Sequence, residues 1–598
     1  MRNNLGYFLA LAAVGLFIYA FNLHGPLFWD DADWIVNNFS VHALTWFNLK
    51  FIFSHDVLAG IGQVSNYYRP FLFLTFLINY LVSGTDPILY HLLSDAIHVA
   101  NALLIFYLLT RWFKNRRLAF IASLLFLIQP LQTEAVAYVS GRGDPLSVMF
   151  MLAGLALYLN NKKIWTAVVM VLAVLSRETA VLFPIYLGII LFAFEWPLNR
   201  ANDSREEMRS RGEARPRRLA ASSPGEHRER ALASELRQAE HAGLGTAGPN
   251  GDHWLWFKVV GILKQIWPYL SISAVYGVLR LTVLNFQNTL NFYTQQNIYS
   301  EHLSYRLYTF CHALVVYLRL IFWPVGLHMD RDIPVSTSLF QWPTWLGALI
   351  ILASIVLMAW FLLSAENERQ VKSVSRKVWL FGLGIFFVNL LPTSGIVPIN
   401  ARIYEHWLYF SLFGLLTIVA FYIDYLWSWL EKHRNQLVPT LVFALVGYSV
   451  FFGIQTIRRN LLWTNVPGMY QNILSYQPDD VRVLNNLGNW DSDHGDNTAA
   501  APLYERAIAV DPSQPAPYYN LGNIYRDQGQ PGEAISWYQK SLEADPNFYY
   551  AYGNLASEYF SQKKYSEALA ELKKLEALYP TPQTEQNISK LEQIIAEN

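Results

Sequence analysis

Cysteine is almost missing from this chain of 598 residues, which carries one, Cys311. A disulfide framework and any cysteine-based metal cluster are therefore excluded. Charge is scarce as well: Asp, Glu, Lys and Arg make up 15% of the residues, where a soluble globular chain has about 25%. Basic and acidic residues balance at 45 each, which leaves no cationic excess for phosphate backbones, so no nucleic-acid partner is expected. No glycine-rich phosphate loop, CxxC pair or nucleophile elbow occurs. The chain is instead 53% hydrophobic and 15% aromatic, with its apolar residues in long runs.

Apolar runs at 5–23, 68–84, 88–110, 117–131, 145–160, 164–177, 179–195, 258–285, 306–326, 343–363, 378–396, 404–424 and 438–456 approach the roughly 20 residues that a membrane crossing needs. The first lacks a small-residue cleavage site after it and reads as a retained anchor. Basic clusters at 111–117, 162–163, 200–237, 372–377 and 432–434 belong on the cytoplasmic side. An even number of crossings must then separate neighbouring clusters. That holds only if 68–84, which opens with Tyr-Tyr-Arg-Pro, and 306–326, interrupted by His312 and Arg319, are interfacial or re-entrant. The expected fold class is all-α: a polytopic membrane helix bundle of about 11 spans, amino terminus inside, with everything after residue 456 outside. Arg458 and Arg459 fall on the outer side in this arrangement.

Residues 199–252 are dense in both charge signs and nearly free of aromatics, so they are expected to form a disordered cytoplasmic loop. The chain then divides into a first membrane half, 1–198, this loop, 199–252, a second membrane half, 253–457, and an extracytoplasmic tail, 458–598. In the tail Leu487-Gly488, Leu521-Gly522 and Leu555-Ala556 recur every 34 residues. Ala500, Ala534 and Ala568 keep the same step, as do Pro512, Pro546 and Pro580. Small residues where paired helices touch, and a proline closing each unit, are the tetratricopeptide (TPR) signature. Three repeats predict a short α-solenoid whose concave face suits an extended polypeptide.

Four outward segments carry ionisable residues. The first, GPLFWDDADWIVNN, places Asp30, Asp31 and Asp33 between Trp29 and Trp34; these acids suit a general base, although a helix cap with solvated charges competes as a reading. The second holds Glu134, Arg142 and Asp144, the third Arg177 and Glu178, and the fourth Arg402, Glu405 and His406. Ionisable groups at membrane depth are costly and mark function, though ion pairs fixing helix ends are the alternative for Arg177 and Glu178. The parity argument used none of these segments, yet it puts all four on one side. Acids beside arginines suit a substrate with an anionic phosphate and a hydroxyl to deprotonate. His91, Asp95 and His98 share one face of another run, with Asn101 close by, and are read as bonding between packed helices rather than as a zinc pair.

The ordered set WDDADWIVNN, YYRPFLFLTFLINY, YHLLSDAIHVANALL, TEAVAYVSGRGDPLS, LSRETA and ARIYEHWLYF, followed by TPR repeats, resembles the TPR-bearing O-mannosyltransferases of the GT-C class and their bacterial relatives. The likeness covers nearly the whole chain apart from 199–252. It implies an integral membrane glycosyltransferase that moves a sugar, mannose in the best-known members, from a polyprenyl-phosphate carrier to a hydroxyl acceptor on protein at the extracytoplasmic face. In that reading Asp30 and Asp31 are catalytic, one of them as base. Arg142, Arg177 and Arg402 hold the donor phosphate, and Glu134, Asp144, Glu178 and Tyr409 support them. Gln129 and Gln132 stand where the family usually shows His. The resemblance implies no certain cofactor; this many acids could hold a divalent metal, but related enzymes are thought to work without one. The implied partners are the lipid-linked donor, the bilayer, and a protein or peptide acceptor in the TPR groove. The expected location is a bacterial inner membrane with a periplasmic tail. The alternatives are a non-catalytic TPR scaffold, or a GT-C transferase that modifies a lipid or glycan.

Overall fold

The computed structural model describes residues 4–61, 63–194, 252–286, 297–363, 370–399 and 401–597. Apart from Asp252, the stretch expected to be disordered, 199–252, lies outside the described residues. Every regular element among them is helical and none is a strand. Two compact units form: Met1–Val325 with Ile333–Asn460, and Gly326–Asp332 with Leu461–Asn598.

The first unit opens with α1 (Leu5–Tyr19), α2 (Trp46–Ser54), α3 (Pro70–Ser83), α4 (Ile88–Phe113) and α5 (Arg116–Leu127). The sequence dictates where these begin and end. Helix α3 starts on Pro70, which has no amide hydrogen to leave unpaired, and stops at Gly84, whose φ of 59° ends the helix without a side-chain penalty. Between α4 and α5 the basic run turns sharply: Lys114 takes a left-handed conformation and Asn115 caps α5 by accepting the Leu118 amide at 3.1 Å. Next come α6 (Thr133–Ala137), α7 (Gly143–Leu159), α8 (Lys163–Ser176) and α9 (Phe183–Phe194). Beyond the undescribed stretch lie α10 (Asp252–Leu281), α11 (Leu303–Phe322), α12 (Trp342–Leu363), α13 (Gln370–Leu390), α14 (Ser411–His433) and α15 (Val438–Trp463).

Among the described residues six helices are long and apolar enough to cross a membrane: Leu5–Asn22, Ile88–Phe113, Trp342–Leu362, Val374–Thr393, Ser411–His433 and Asn435–Trp463. A seventh is added if Arg116–Leu127 and Pro130–Ala137, bent by 52°, count as one. The expected count of about 11 is not confirmed among the described residues. Several apolar runs fold as helices too short to be counted as spans, among them 68–84, which is expected not to cross. Pro70–Ser83 and Lys163–Ser176 have 14 residues each, or about 21 Å against a hydrocarbon core of about 30 Å. The breaks fall at Gln129-Pro130 and at Arg177-Glu178, where the site described below is built.

Helices α13 and α14 meet through two glycines. A Cβ on Gly414 would lie 2.4 Å from the Gly382 carbonyl oxygen, and one on Gly382 would lie 2.8 Å from that of Gly414. Backbones this close need hydrogen in place of a side chain. Gly414→Ala is expected to lower stability by about 1–3 kcal/mol through overpacking, read as a drop in the thermal midpoint of the detergent-purified protein. An unchanged midpoint would mean that the pair can separate without cost.

The second unit is the repeat domain. After α16 (Val466–Tyr476) come three antiparallel pairs: α17 (Val481–Asp493) with α18 (Asn497–Val510), α19 (Pro515–Asp527) with α20 (Pro531–Ala544), and α21 (Tyr549–Ser561) with α22 (Tyr565–Leu578); α23 (Pro582–Glu597) closes the array. The periodic residues make the contacts that the period implies. Tyr504 packs onto Gly488 and Tyr538 onto Gly522, where an added Cβ would sit 2.6 Å from the ring in each case. The two hydroxyls donate to Asn489 and Asn523 at 2.8 Å, again one period apart. Asn520 and Asn554 then donate to those same asparagines, at 2.8 and 2.7 Å, linking each repeat to the next.

Candidate active site

Asp30 and Asp31 follow a strained turn. Trp29 has a φ of 58°, a conformation that a bulky side chain adopts only when its surroundings impose it, and the chain then closes one π-helical turn over Ala32–Val36. This segment is pinned onto the stretch between α6 and α7. The Asp30 amide donates to the Tyr138 hydroxyl at 3.0 Å. Asp31, 1% exposed, accepts the Ser140 amide at 2.7 Å and also the Ser140 hydroxyl.

Burial pushes the Asp31 carboxyl up to about 7. The Ser140 hydrogen bonds oppose that rise, the charge of Asp30 adds to it, and Arg142 offsets part of it. A carboxyl near 3.9 in the unfolded chain thus holds its proton more tightly in the fold. Its contribution to stability is complete below about pH 4 and is lost as pH rises through about 7. Asp31→Asn is expected to remove this slope. Thermal midpoints of the two proteins should diverge from pH 5 to 8, the wild type falling relative to the variant; parallel curves would contradict the buried state of Asp31.

The α5–α7 connection carries the next residues. Residues 125–140 are buried without a break, so each polar group there needs a partner. Glu134 lies 2.7 Å from His406 Nδ1 and accepts the Glu405 amide at 3.2 Å. Glu405 in turn pairs with Arg459 at 2.8 Å. Asp144, one residue into α7, pairs with Arg177 at 2.7 Å, and its carboxylate also feels His406 and Arg69. Arg69 pairs with Glu178 at 3.2 Å, while the other Glu178 oxygen accepts the Tyr68 amide at 3.2 Å. Tyr67 stands within electrostatic reach of Arg69, Glu178, Arg177 and Asp30. Charges from five distant stretches therefore interact in turn through Arg69, Glu178, Arg177, Asp144, His406, Glu134, Glu405 and Arg459, and the Tyr67 ring, which feels both Asp30 and Arg69, lies between this run and a sixth stretch, that of Asp30.

Three expected site residues make their hydrogen bonds elsewhere, although the charge of Arg142 also reaches Asp31. Arg142 is 0% exposed; its guanidinium donates to Ser94 Oγ and Thr75 Oγ1 at 3.0 Å, Asn79 Oδ1 at 2.9 Å and the Tyr90 carbonyl at 2.7 Å. Arg402 donates to the Ile333 carbonyl and acts on Tyr299. Tyr409 is buried, with its hydroxyl 2.7 Å from His98 Nδ1 and accepting from Asn101 at 3.0 Å. The polar face of α4 is likewise used for packing: His91 bonds to the Gly25 carbonyl at 2.8 Å and Asp95 accepts from Asn22 at 3.1 Å. Among the described residues no group of three or more His, Cys, Asp or Glu is placed to hold a metal ion.

Reading the sequence missed Ser140, Arg69 and Arg459. Arg69 had a usable signal, a cation directly before the proline that opens α3. Arg459 was counted only as a loop charge, yet it is buried and paired.

The fold and site together define a multi-helix membrane protein with a buried ionic centre and a TPR domain. Tetratricopeptide-repeat families match residues 491–548 and 525–586. The chain is 26% identical over 520 residues to human "Protein O-mannosyl-transferase TMTC1", covering 82% of this chain and 53% of that protein. It is 26% identical over 502 residues to "Protein O-mannosyl-transferase F38B6.6" of Caenorhabditis elegans, covering 81% and 60%. Mouse "Protein O-mannosyl-transferase TMTC3" is 35% identical over 158 residues, 25% of this chain and 17% of that protein. The chain thus spans about half the length of the relatives it matches. These likenesses and the repeats support its relationship to the TMTC-type family of TPR-bearing O-mannosyltransferases.

Proposed function

We propose that the protein is an integral-membrane glycosyltransferase of the GT-C class that moves mannose from a polyprenyl-phosphate carrier to a hydroxyl on a protein acceptor. The carrying observation is the run of charges from Arg69 to Arg459 just described, with Asp30 beyond Tyr67 at its end. Such a run combines what the reaction asks for: a carboxylate to take the acceptor proton and cations to neutralise the departing phosphate. Names of relatives over most of the chain point the same way.

Asp30 is the base in this reading. Asp31, buried and tied to Ser140, sets its position and adds a like charge that raises its basicity. Arg177 and Arg69 serve the carrier phosphate, while Asp144 and Glu178 hold their guanidiniums in place. Arg142 braces the loop that carries Ser140. The TPR groove grips the polypeptide acceptor, and the reaction runs at the extracytoplasmic face of a bacterial inner membrane, with the repeats periplasmic.

The test is an assay of the membrane-reconstituted protein with radiolabelled polyprenyl-phosphate mannose, sorting label between protein and lipid. Label on protein, lost in Arg177→Gln by about 10²-fold or more, supports the reading. Label on lipid alone, or Arg177→Gln turnover equal to wild type, contradicts it.

A further inference from the structure

Arg459 lies in the last two turns of α15 and is used by nothing above except as the partner of Glu405. It is 5% exposed. One terminal nitrogen pairs with Glu405 at 2.8 Å, whereas Nε and the other terminal nitrogen meet no hydrogen-bonding partner. The contrast with other buried arginines is sharp: Arg142 has four acceptors, and Arg306 donates to the Gly395 and Ser300 carbonyls at 2.6 Å each. A buried guanidinium with open N–H groups is costly unless something fills them.

The end of α15 is held firmly against the stretch that carries Glu134. Thr456 donates to the Ile128 carbonyl at 2.7 Å, and Asn460 donates to that of Ile18 at 2.9 Å. Glu134 feels the charge of Arg459. On the same stretch Gln129 and Gln132 are buried and donate to the Ile321 and Tyr409 carbonyls, at 3.1 and 3.4 Å. The Oε1 atoms of both have no partner. Open donors on a cation whose helix bonds to this stretch, and open acceptors on two neutral amides of the stretch itself, complement a group that combines an anion with hydroxyls. A sugar phosphate is such a group.

We propose that Arg459 shares the single phosphate of the lipid-linked donor with Arg177 and Arg69, and that Gln129 and Gln132 accept hydrogen bonds from its sugar. This rests on the transferase reading and gives its donor pocket named residues. Glu405 orients Arg459 and, as a competing anion, moderates its pull on phosphate.

The experiment measures binding of undecaprenyl phosphate, and of its mannosylated form, to the full-length protein in detergent by native mass spectrometry, alongside donor KM. Arg459→Gln is expected to weaken both lipids at least tenfold, and Arg459→Lys to recover part of the loss. Glu405→Gln is expected to bind undecaprenyl phosphate as tightly as wild type or more so, an outcome that a merely structural ion pair would not give. Gln129→Leu with Gln132→Leu should weaken only the mannosylated lipid. Wild-type affinity in Arg459→Gln, or equal losses in Glu405→Gln and Arg459→Gln, overturns the proposal. Should Arg459→Gln fail to fold, Arg459→Lys and Glu405→Gln decide. Binding that follows this pattern without sugar transfer by the wild type would sink the transferase reading and leave the anion site standing. Transfer with unchanged Arg459→Gln binding would do the reverse.

Discussion

Asp30→Asn is expected to reduce mannose transfer by about 10²–10⁴-fold, the usual worth of a positioned general base, in a protein that folds normally. The substitution preserves size and leaves the Asp30 amide on the Tyr138 hydroxyl, so the strained turn at Trp29 keeps its anchor. Asp31→Asn should cost less. Its amide oxygen still accepts from Ser140, and only the neighbouring negative charge is lost. Turnover against pH separates the two residues. With Asp31 pushed up to about 7 by burial, wild-type kcat/KM should rise through that region as the second charge appears beside Asp30. The Asp31→Asn profile should lack that limb.

Arg142→Met is expected to have the largest effect on stability. The guanidinium ties α3, through Thr75 and Asn79, to α4, through Ser94 and Tyr90, and also sits 5.1 Å from the Phe76 ring centroid. Methionine fills the volume but leaves those acceptors buried and unfilled, at a cost of about 3–5 kcal/mol. Lysine should not rescue it, since one ammonium cannot reproduce the forked geometry. Thermal unfolding in detergent checks this. A wild-type midpoint with lost transfer would instead return Arg142 to the phosphate, the role that the sequence resemblance implied.

That contrast shows where the sequence was informative and where it was not. The repeats were legible because their restraint is local: small residues at 488, 522 and 556 recur every 34 residues in the letters, and in the first two repeats Gly488–Tyr504 and Gly522–Tyr538 meet accordingly. The stretches that bear the site were legible too, since charges interrupting apolar runs are conspicuous. Partner choice was not. Arg142 and Arg177 look alike in sequence, but one is enclosed by neutral acceptors and the other pairs with Asp144. Arg69 finds Glu178 across more than a hundred residues, a distance at which spacing says nothing. The span count of about 11 is not confirmed, for a related reason. Hydropathy marks an apolar run without fixing the helix it becomes: Gln129-Pro130 ends a helix inside the run 117–131, and the run 164–177 folds as the 14-residue helix Lys163–Ser176. Arg459 was misjudged because counting loop charges presumes that each faces water.

The central claim is that charges brought together from six stretches of chain perform sugar transfer. The most direct measurement is single-turnover transfer of radiolabelled mannose from polyprenyl phosphate to a polypeptide acceptor by purified protein in liposomes, wild type beside Asp30→Asn. The account predicts labelled polypeptide with the wild type and a loss of at least 10²-fold in the variant, with matching thermal midpoints. Equal labelling by the two proteins would contradict it.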